Sequence, residues 1–301
     1  MITFPDTRKR SLSSLFSQHY PNDVLLRSYF EGSTPGIAYV DDLQSPAFCL
    51  VISEFYHWTF IGGHPSSNQV ELACKAILPQ EQYLQILWRA DLGLEKPQLE
   101  WDEVVSRKEF LRFAWPPTVQ KDDVGPPVNR TTLATMPSSF LKTTLKYFYG
   151  SWEEFLSKAF AYQLFLNDRL VSEAVGILQS SLQMEVSIET AEPFRRKGYG
   201  RLVATALIEE ALRNGKEPCW SCNSDNAPSL EIAKSLGFSD PQEYSILIVN
   251  QKDALSQYWK SLLDRAQARQ KSLGDVVAYL QSQGLERNVA RRISIAYFHG
   301  E

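Results

Sequence analysis

The stretch "TAEPFRRKGYGRLVATALIEEAL" runs from Thr190 to Leu212 and leads from a loop into a helix with an apolar stripe. Four cations surround two glycines just before this helix: Arg195, Arg196, Lys197 and Arg201 around Gly198 and Gly200. The first N–H groups of a helix have no internal partners, and together with the helix dipole they attract anions. Glycine lets the backbone approach an oxygen-rich group without a Cβ clash. The stretch therefore predicts a site for a phosphate-bearing ligand.

Two other kinds of phosphate loop fit this stretch poorly. A Walker loop needs G-x-x-x-x-G-K-[ST], which the chain lacks. A dinucleotide fingerprint needs three glycines as G-x-G-x-x-G. Here Ala204 stands near the third place, and the basic residues precede the glycines. Neither of these two phosphate-loop types therefore accounts for the stretch.

Composition places the cation cluster on a mildly acidic protein. The 301 residues carry a formal net charge of −4 and are 44% apolar, which is enough for a sizeable core. A nucleic-acid-binding surface normally needs a basic excess, so we expect a small anionic ligand and no nucleic-acid partner. No apolar run is long enough to cross a bilayer, and the N-terminus lacks the apolar middle of a secretory signal. We expect a cytoplasmic protein without membrane contact.

The order of elements in the second half of the chain is regular. Helical material at 138–160 precedes three strands, "AYQLFLN", "RLVSEAVGILQS" and "LQMEVSIET". The quoted loop and a helix over 201–213 follow, then a strand "PCWSCN", a helix "APSLEIAKSL" and a strand "EYSILIVN". No internal repeat is apparent in the sequence.

The rest of the chain suggests three parts. An N-terminal α/β domain is predicted over residues 1–125, a catalytic domain over 126–250 and a helical extension over 251–301. The segment 113–132, "FAWPPTVQKDDVGPPVNRTT", contains two Pro-Pro pairs and predicts a linker between the halves. The cations of the C-terminal helices fit either solvated faces or a surface for a partner, and a homodimer is a separate alternative.

The loop resembles a known family. Arg195-x-x-Gly198-x-Gly200 matches the [RQ]-x-x-G-x-[GA] loop of the GNAT superfamily of acetyl-CoA-dependent N-acetyltransferases. With "PCWSCNSDNAPSLEIAKSLGF", the chain is most similar to a two-part subfamily that includes zwittermicin-type self-resistance acetyltransferases, over about residues 20–250. The resemblance implies an α/β protein with a GNAT fold, in which helices flank a mixed, mostly antiparallel sheet.

The same resemblance implies where acetyl-CoA binds. The strand ending at Ile188, Glu189 and Thr190 would splay from the next strand, and its backbone would hold the pantetheine arm. The amides of residues 196–201, Tyr199 among them, would bind the pyrophosphate beside the four cations. Asn226 and Ser229 would lie near the thiol end. The implied reaction moves an acetyl group to an amine of a small molecule; the alternatives are a protein or peptide amine, or a non-catalytic CoA-binding sensor or scaffold.

Candidates for the catalytic base follow from the position of the acidic residues. A lysine-like amine has a pKa of about 10.4 and must lose a proton before it attacks a thioester. Glu189 stands at the end of the cofactor strand, where a base is useful, and Glu173 on the preceding strand is the second candidate. The alternative for Glu189 is a structural carboxylate in a hydrogen-bond network.

The family feature that supplies a general acid is missing from this chain. Many members carry a tyrosine four residues before the glycine of the "LGF" element, and this chain has Ala233 there. A proton for the departing sulfur would come from Cys222, Ser229, Tyr244 or water, or none is needed.

The C-x-x-C spacing of Cys219 and Cys222 lies in a predicted strand, where residues three apart face opposite sides. This argues against a metal or redox site, so we expect no metal. Trp220 and Cys222 would share one face, either in the core or lining the substrate pocket.

Overall fold

The computed structural model describes residues 1–16, 20, 22–54, 57–81, 83–88, 104–114, 125–250, 257–266, 271–283, 285, 290–291, 293–294 and 297–298. Its strands and helices, in chain order, are β1 (Ile2–Thr3), α1 (Asp23–Glu31), β2 (Gly36–Val40), β3 (Phe48–Ser53), β4 (Trp58–Gly63), α2 (Ser67–Glu81), β5 (Tyr83–Trp88), β6 (Val104–Ala114), β7 (Val128–Arg130), α3 (Lys142–Tyr149), α4 (Trp152–Lys158), β8 (Ala161–Leu166), β9 (Arg169–Gln179), β10 (Gln183–Thr190), α5 (Tyr199–Arg213), β11 (Glu217–Asn223), α6 (Ala227–Ser235), β12 (Ser239–Asn250), α7 (Gln257–Arg265) and α8 (Leu273–Ser282).

The chain divides into two compact units. Unit 1 comprises Met1–Pro21, Thr34–Phe110 and Glu243–Glu301, and unit 2 comprises Asn22–Ser33 and Leu111–Gln242. The three domain boundaries expected from the sequence stay a prediction. No helix among the described residues is long and apolar enough to span a membrane.

Unit 1 contains a mixed, mostly antiparallel sheet in the order β1-β2-β3-β4-β5-β12. Neighbouring strands run antiparallel except β4 and β5, which are parallel and are joined across α2. A parallel pair needs such a crossover, since a tight turn cannot return the chain to the same end. The apolar side chains of α2 pack on the sheet and bury Val70, Cys74 and Ile77 against Leu50 and Ile86.

Unit 2 has a sheet of the same kind, in the order β11-β10-β9-β8-β7 with β6 beside β11. The pairs β7–β8, β8–β9 and β9–β10 are antiparallel, whereas β10 and β11 are parallel and are joined across α5. The two units thus repeat one order of elements: a short edge strand, three antiparallel strands, a crossover helix and a parallel strand. No internal repeat is apparent in the sequence.

Helices cover both faces of the unit 2 sheet. On one face α5 buries five side chains completely, at the i, i+3, i+4 spacing of an amphipathic helix: Val203, Ala204, Leu207, Ile208 and Ala211. On the other face Leu145 of α3 and Phe155 of α4 pack against Ala161 and Val175. The mixed sheet flanked by helices confirms the fold class that the sequence predicts.

The predicted linker at 113–132 is wrong where the structure describes it. Phe113 belongs to β6 and is buried in the unit 2 core, and Val128–Arg130 forms β7, which pairs with β8. Residues 115–124 of this segment lie outside the described residues. Four strands, β1, β4, β6 and β7, were not predicted from the sequence. Two or three C-terminal helices were predicted; α7 and α8 are present, and half of the residues of the third segment, 285–298, lie outside the described residues.

Candidate functional site

The loop before α5 turns through two left-handed residues. Arg196 has a φ of 60° and Gly198 a φ of 80°. The helix begins at Tyr199, two residues earlier than the sequence suggests, and its first turn is closed by a bond from the Leu202 amide to the Gly198 carbonyl. No side chain caps this end. The amides of the first turn therefore point out of the helix towards the loop, as an anion site requires.

Gly200 allows this helix end to approach the sheet. A Cβ atom there would lie 3.3 Å from Ile232 Cδ1 and 3.3 Å from Thr190 Oγ1. A larger residue would push the first turn of α5 away from the end of β10. The sequence predicts glycine here for access to a ligand, and the structure adds a packing reason.

The cations of the loop differ in their surroundings. Arg195 donates from Nε to the Thr190 carbonyl over 2.9 Å and from Nη2 to Glu189 Oε1 over 3.2 Å. Arg196 is exposed, and the ammonium of Lys197 lies 5.3 Å from the centre of the Phe194 ring. Arg195 thus stabilises the end of β10, while Arg196 and Lys197 present charge at the start of α5.

The strands β10 and β11 diverge beyond a short paired region, as the family resemblance implies. Their parallel pairing covers only Gln183–Glu185 with residues 217–219. Ile188, Glu189 and Thr190 lie beyond this pairing, on the side of the strand pair that leads to the α5 loop.

Asn223, at the divergent end of β11, was not singled out from the sequence. Its Oδ1 atom is buried and has no hydrogen-bond partner among the described residues. A buried acceptor without a partner costs free energy, which a polar ligand between the strands would recover. No local pattern identifies this residue, because its role depends on the divergence of two strands.

Asn226 and Ser229 take part in the start of α6. The Asn226 side chain accepts a hydrogen bond from the Ser229 amide over 3.3 Å and so caps the helix. The Ser229 hydroxyl in turn accepts from Trp220 Nε1 over 3.1 Å. It also bonds the thiol of Cys222, whose pKa is raised by burial. Both residues therefore have structural contacts beside the divergent end of β11.

The two candidate bases face the same side of the sheet but differ in access. Glu173 and Glu189 are directly opposite each other in the antiparallel pair β9–β10, so their side chains share one face. The Glu189 side chain is 44% exposed, whereas Glu173 is completely buried.

The Glu173 carboxylate is enclosed by donors. It accepts from Ser139 Oγ and the Leu141 amide, each over 3.0 Å, and from Gln163 Nε2 over 3.3 Å. Burial raises the pKa of the Glu173 carboxyl, while these donors and the Phe140 amide lower it in part. The carboxylate thereby ties the segment before α3 to the sheet.

The candidates for a general acid are dispersed. Ala233 is completely buried in the apolar core of unit 2, so its position does not face an open cleft. Tyr244 belongs to unit 1, where it is buried and stacks on Phe110 with ring centres 5.5 Å apart. Cys222 and Ser229 remain together at the start of α6, as described above.

The two cysteines of the C-x-x-C spacing face opposite sides of β11, as predicted. Cys222 and Trp220 pack in the apolar core, whereas Cys219 contacts Arg112. All four cysteines are free, and no metal-binding group of His, Cys, Asp or Glu occurs among the described residues.

Comparison with known proteins identifies the family. A model of the GNAT acetyltransferase family matches residues 13–247. The chain is 26% identical over 268 residues to the uncharacterized N-acetyltransferase YdfB of Bacillus subtilis (strain 168), with 80% of this chain and 96% of that protein covered.

Two solved structures show a similar fold. A GCN5-related N-acetyltransferase-like protein from Streptococcus suis 89/1591 superimposes with a TM-score of 0.57 at 20% identity, covering 81% of this chain and 99% of that one. A tandem GNAT protein from the clavulanic acid biosynthesis pathway gives 0.55 at 10% identity, covering 83% and 98%. Since the family match spans most of the chain, this protein is an acetyltransferase that belongs to the GNAT acetyltransferase family.

Proposed function

We propose that the enzyme transfers an acetyl group from acetyl-CoA to an amine of a small molecule, and that unit 2 carries the reaction. GNAT acetyltransferases generally use acetyl-CoA and act on amines. The observation that carries the proposal is the divergence of β10 and β11 beyond Glu185, next to a cation-rich and uncapped start of α5. This arrangement offers backbone groups for an amide-bearing arm at one end and positive charge for a diphosphate at the other.

The residues present fit acetyl-CoA in polarity and charge. The amides of residues 196–201, with Arg196, Lys197 and Arg201, would hold the pyrophosphate, and Arg195 would support them by fixing the end of β10. The backbone of Ile188, Glu189 and Thr190 would hold the pantetheine arm, and the orphaned Oδ1 of Asn223 supplies a buried acceptor close by. Asn226 and Ser229 would line the thiol end. Acetyl-CoA, when bound, supplies the activated acetyl thioester.

Glu189 is the better candidate for the general base. Its side chain is 44% exposed, so an incoming ammonium can reach the carboxylate, and Arg195 holds Oε1 in position. The ammonium would give one proton to Glu189, alone or through water, and the neutral amine would attack the thioester carbonyl. The C–S bond would then break, and the departing sulfur would take the second proton from the nitrogen, directly or through water. Glu173 fits a catalytic role less well, because it is enclosed and its oxygens already accept several hydrogen bonds.

The acceptor that we propose is an amine of a small metabolite. Similarity to the two-part subfamily that includes zwittermicin-type acetyltransferases favours a metabolite amine over a protein or peptide amine. The family assignment favours an enzyme over a non-catalytic sensor.

The test has two arms. Calorimetry with CoA should show binding, and the charge-reversed variant Arg196→Glu/Lys197→Glu should weaken it by about a hundredfold or more, since hydrogen bonds to charged groups are lost and repulsion is added. Release of free thiol from acetyl-CoA should then be followed across a library of small amines and a library of peptides. An absence of CoA binding by the folded wild-type chain would refute the proposal, whereas turnover with peptides alone would correct only the acceptor class.

A further inference from the structure

Unit 1 repeats the element order of unit 2 and also repeats its divergent strand pair. The parallel strands β4 and β5 pair only at Trp58 with Gln85 and Thr59 with Ile86. In unit 2 the corresponding divergence, between β10 and β11, is the proposed pantetheine groove. The repeat therefore raises the question of whether the chain has a second place for CoA.

In unit 1 the space between the diverging strands is occupied by the chain itself. The Tyr20 hydroxyl accepts a hydrogen bond from the Ile61 amide of β4 over 3.0 Å and donates one to the Leu87 carbonyl of β5 over 3.1 Å. Both bonds lie just beyond the last paired residues, and the Tyr20 side chain is 3% exposed. Tyr20 thus satisfies the backbone groups that an amide-bearing ligand would otherwise bind.

A second aromatic ring closes the same region. A Cβ atom on Gly62 would lie 2.7 Å from the ring of Phe16, so this ring lies directly against the β4 backbone. Phe16 meets Tyr20 edge-on at 5.9 Å between ring centres, and Tyr20 meets Phe60 at 5.6 Å. We call Phe16 and Tyr20 the aromatic plug.

The start of α2 also lacks the cations and the uncapped helix start that favour anion binding. Only three residues, 64–66, separate β4 from α2, and the sequence has no lysine or arginine from His64 to Cys74. The helix start is capped by its own side chains, since the Gln69 amide donates to Ser66 Oγ over 3.3 Å and the Ser66 amide donates to Gln69 Oε1 over 2.8 Å. The equivalent position in unit 2 has four cations and an uncapped helix.

We infer that unit 1 is a second copy of the acyl-CoA-binding topology whose groove is filled by the aromatic plug, so that the chain binds one CoA, in unit 2. The inference rests on the proposed function of unit 2. Tyr20 joins the edges of the two diverging strands of unit 1, as the pantetheine arm would join those of unit 2.

The experiment counts sites on the full chain. Calorimetry with CoA should give one site per chain, and Arg196→Glu/Lys197→Glu, which changes only exposed side chains of unit 2, should leave no second site at the same concentrations. Two sites, or a residual site in this variant, would overturn the inference and leave the proposed function intact. No binding by the wild-type chain would overturn the proposed function instead.

A second variant tests the plug directly. Tyr20→Phe keeps the ring and removes the hydroxyl, so the Ile61 amide should exchange its hydrogen about tenfold faster while the affinity for CoA stays unchanged. Circular dichroism checks that the variant is folded. An unchanged exchange rate at Ile61, or a weakened CoA affinity in the folded variant, would contradict the inference.

Discussion

Arg195 Nη2 lies 3.2 Å from Glu189 Oε1, and the same guanidinium donates from Nε to the Thr190 carbonyl. One arginine of the glycine-containing loop therefore fixes both the last backbone carbonyl of β10 and the candidate base beside it. Through this contact the proposed diphosphate site and the proposed acetyl-transfer site share a residue.

Replacing Glu189 tests the proposed base. Glu189→Gln keeps the shape of the side chain but removes its ability to accept a proton, so kcat should fall about 100- to 10,000-fold. The affinity for CoA, measured by calorimetry, should change little. Glu192→Gln, at an exposed acid of the same loop, is the matched control and should keep its activity. An active Glu189→Gln variant would assign the base to another residue.

The cations at the start of α5 should make CoA binding depend on salt. We expect Arg196→Ala to weaken binding about tenfold, because one charge-assisted contact to a phosphate is lost. The slope of affinity against salt concentration should also become shallower, since exposed charges are screened. Lys158→Ala, at an exposed lysine of α4, should leave both quantities unchanged. An equal slope for wild type and Arg196→Ala would show that this arginine does not contact the ligand.

Alanine in place of either glycine of the loop should destabilise the protein, for a different reason at each position. Gly200→Ala places a Cβ 3.3 Å from Ile232 Cδ1, so overpacking should outweigh the gain in helix propensity and lower the free energy of unfolding by about 1 kcal/mol or less. Gly198→Ala meets nothing within 4 Å, but its φ of 80° should cost about 1–2 kcal/mol.

A second substitution separates the two causes. Ile232→Val removes the Cδ1 atom and should restore part of the stability of Gly200→Ala, whereas it should restore none in Gly198→Ala. Urea denaturation measures each free energy of unfolding. Equal effects of Ile232→Val in both backgrounds would contradict the packing role of Gly200.

Much of unit 2 could be predicted from the sequence because its signals are local. Glycines and cations before an apolar-striped helix predict α5 and its loop, and the segment "APSLEIAKSL" predicts α6. The enclosure of Glu173 could not be predicted, because its donor Ser139 lies 34 residues away in the chain. Asn223 was missed because its role depends on the divergence of β10 and β11, which no local pattern shows.

The repeat of unit 1 is also invisible locally. Its crossover helix has no cations at its start, and its key contact joins Tyr20 to Leu87, 67 residues apart. A local sequence pattern shows which residues could bind a ligand, but it does not show the order of the strands in a sheet. Because unit 1 lacks the cations of the unit 2 loop, only its strand order shows its similarity to unit 2.

The buried carboxylate of Glu173 should make stability depend on pH. Burial raises its folded-state pKa above the unfolded value of about 4.3. In the window between these two pKa values the folded chain binds more protons than the unfolded chain, so the stability due to this group falls as pH rises. It is fully present below the unfolded pKa and is lost as pH rises through the folded one.

Glu173→Gln does not titrate and isolates this effect. The free energy of unfolding of wild type minus that of Glu173→Gln, from urea denaturation at pH 4, 6 and 8, should be largest at pH 4 and should decrease as pH rises. Glu153→Gln, at an exposed acid of α4, corrects for general charge effects. A difference that grows with pH would mean that the donors from Ser139, Leu141 and Gln163 outweigh burial, and that Glu173 is held as a charged carboxylate.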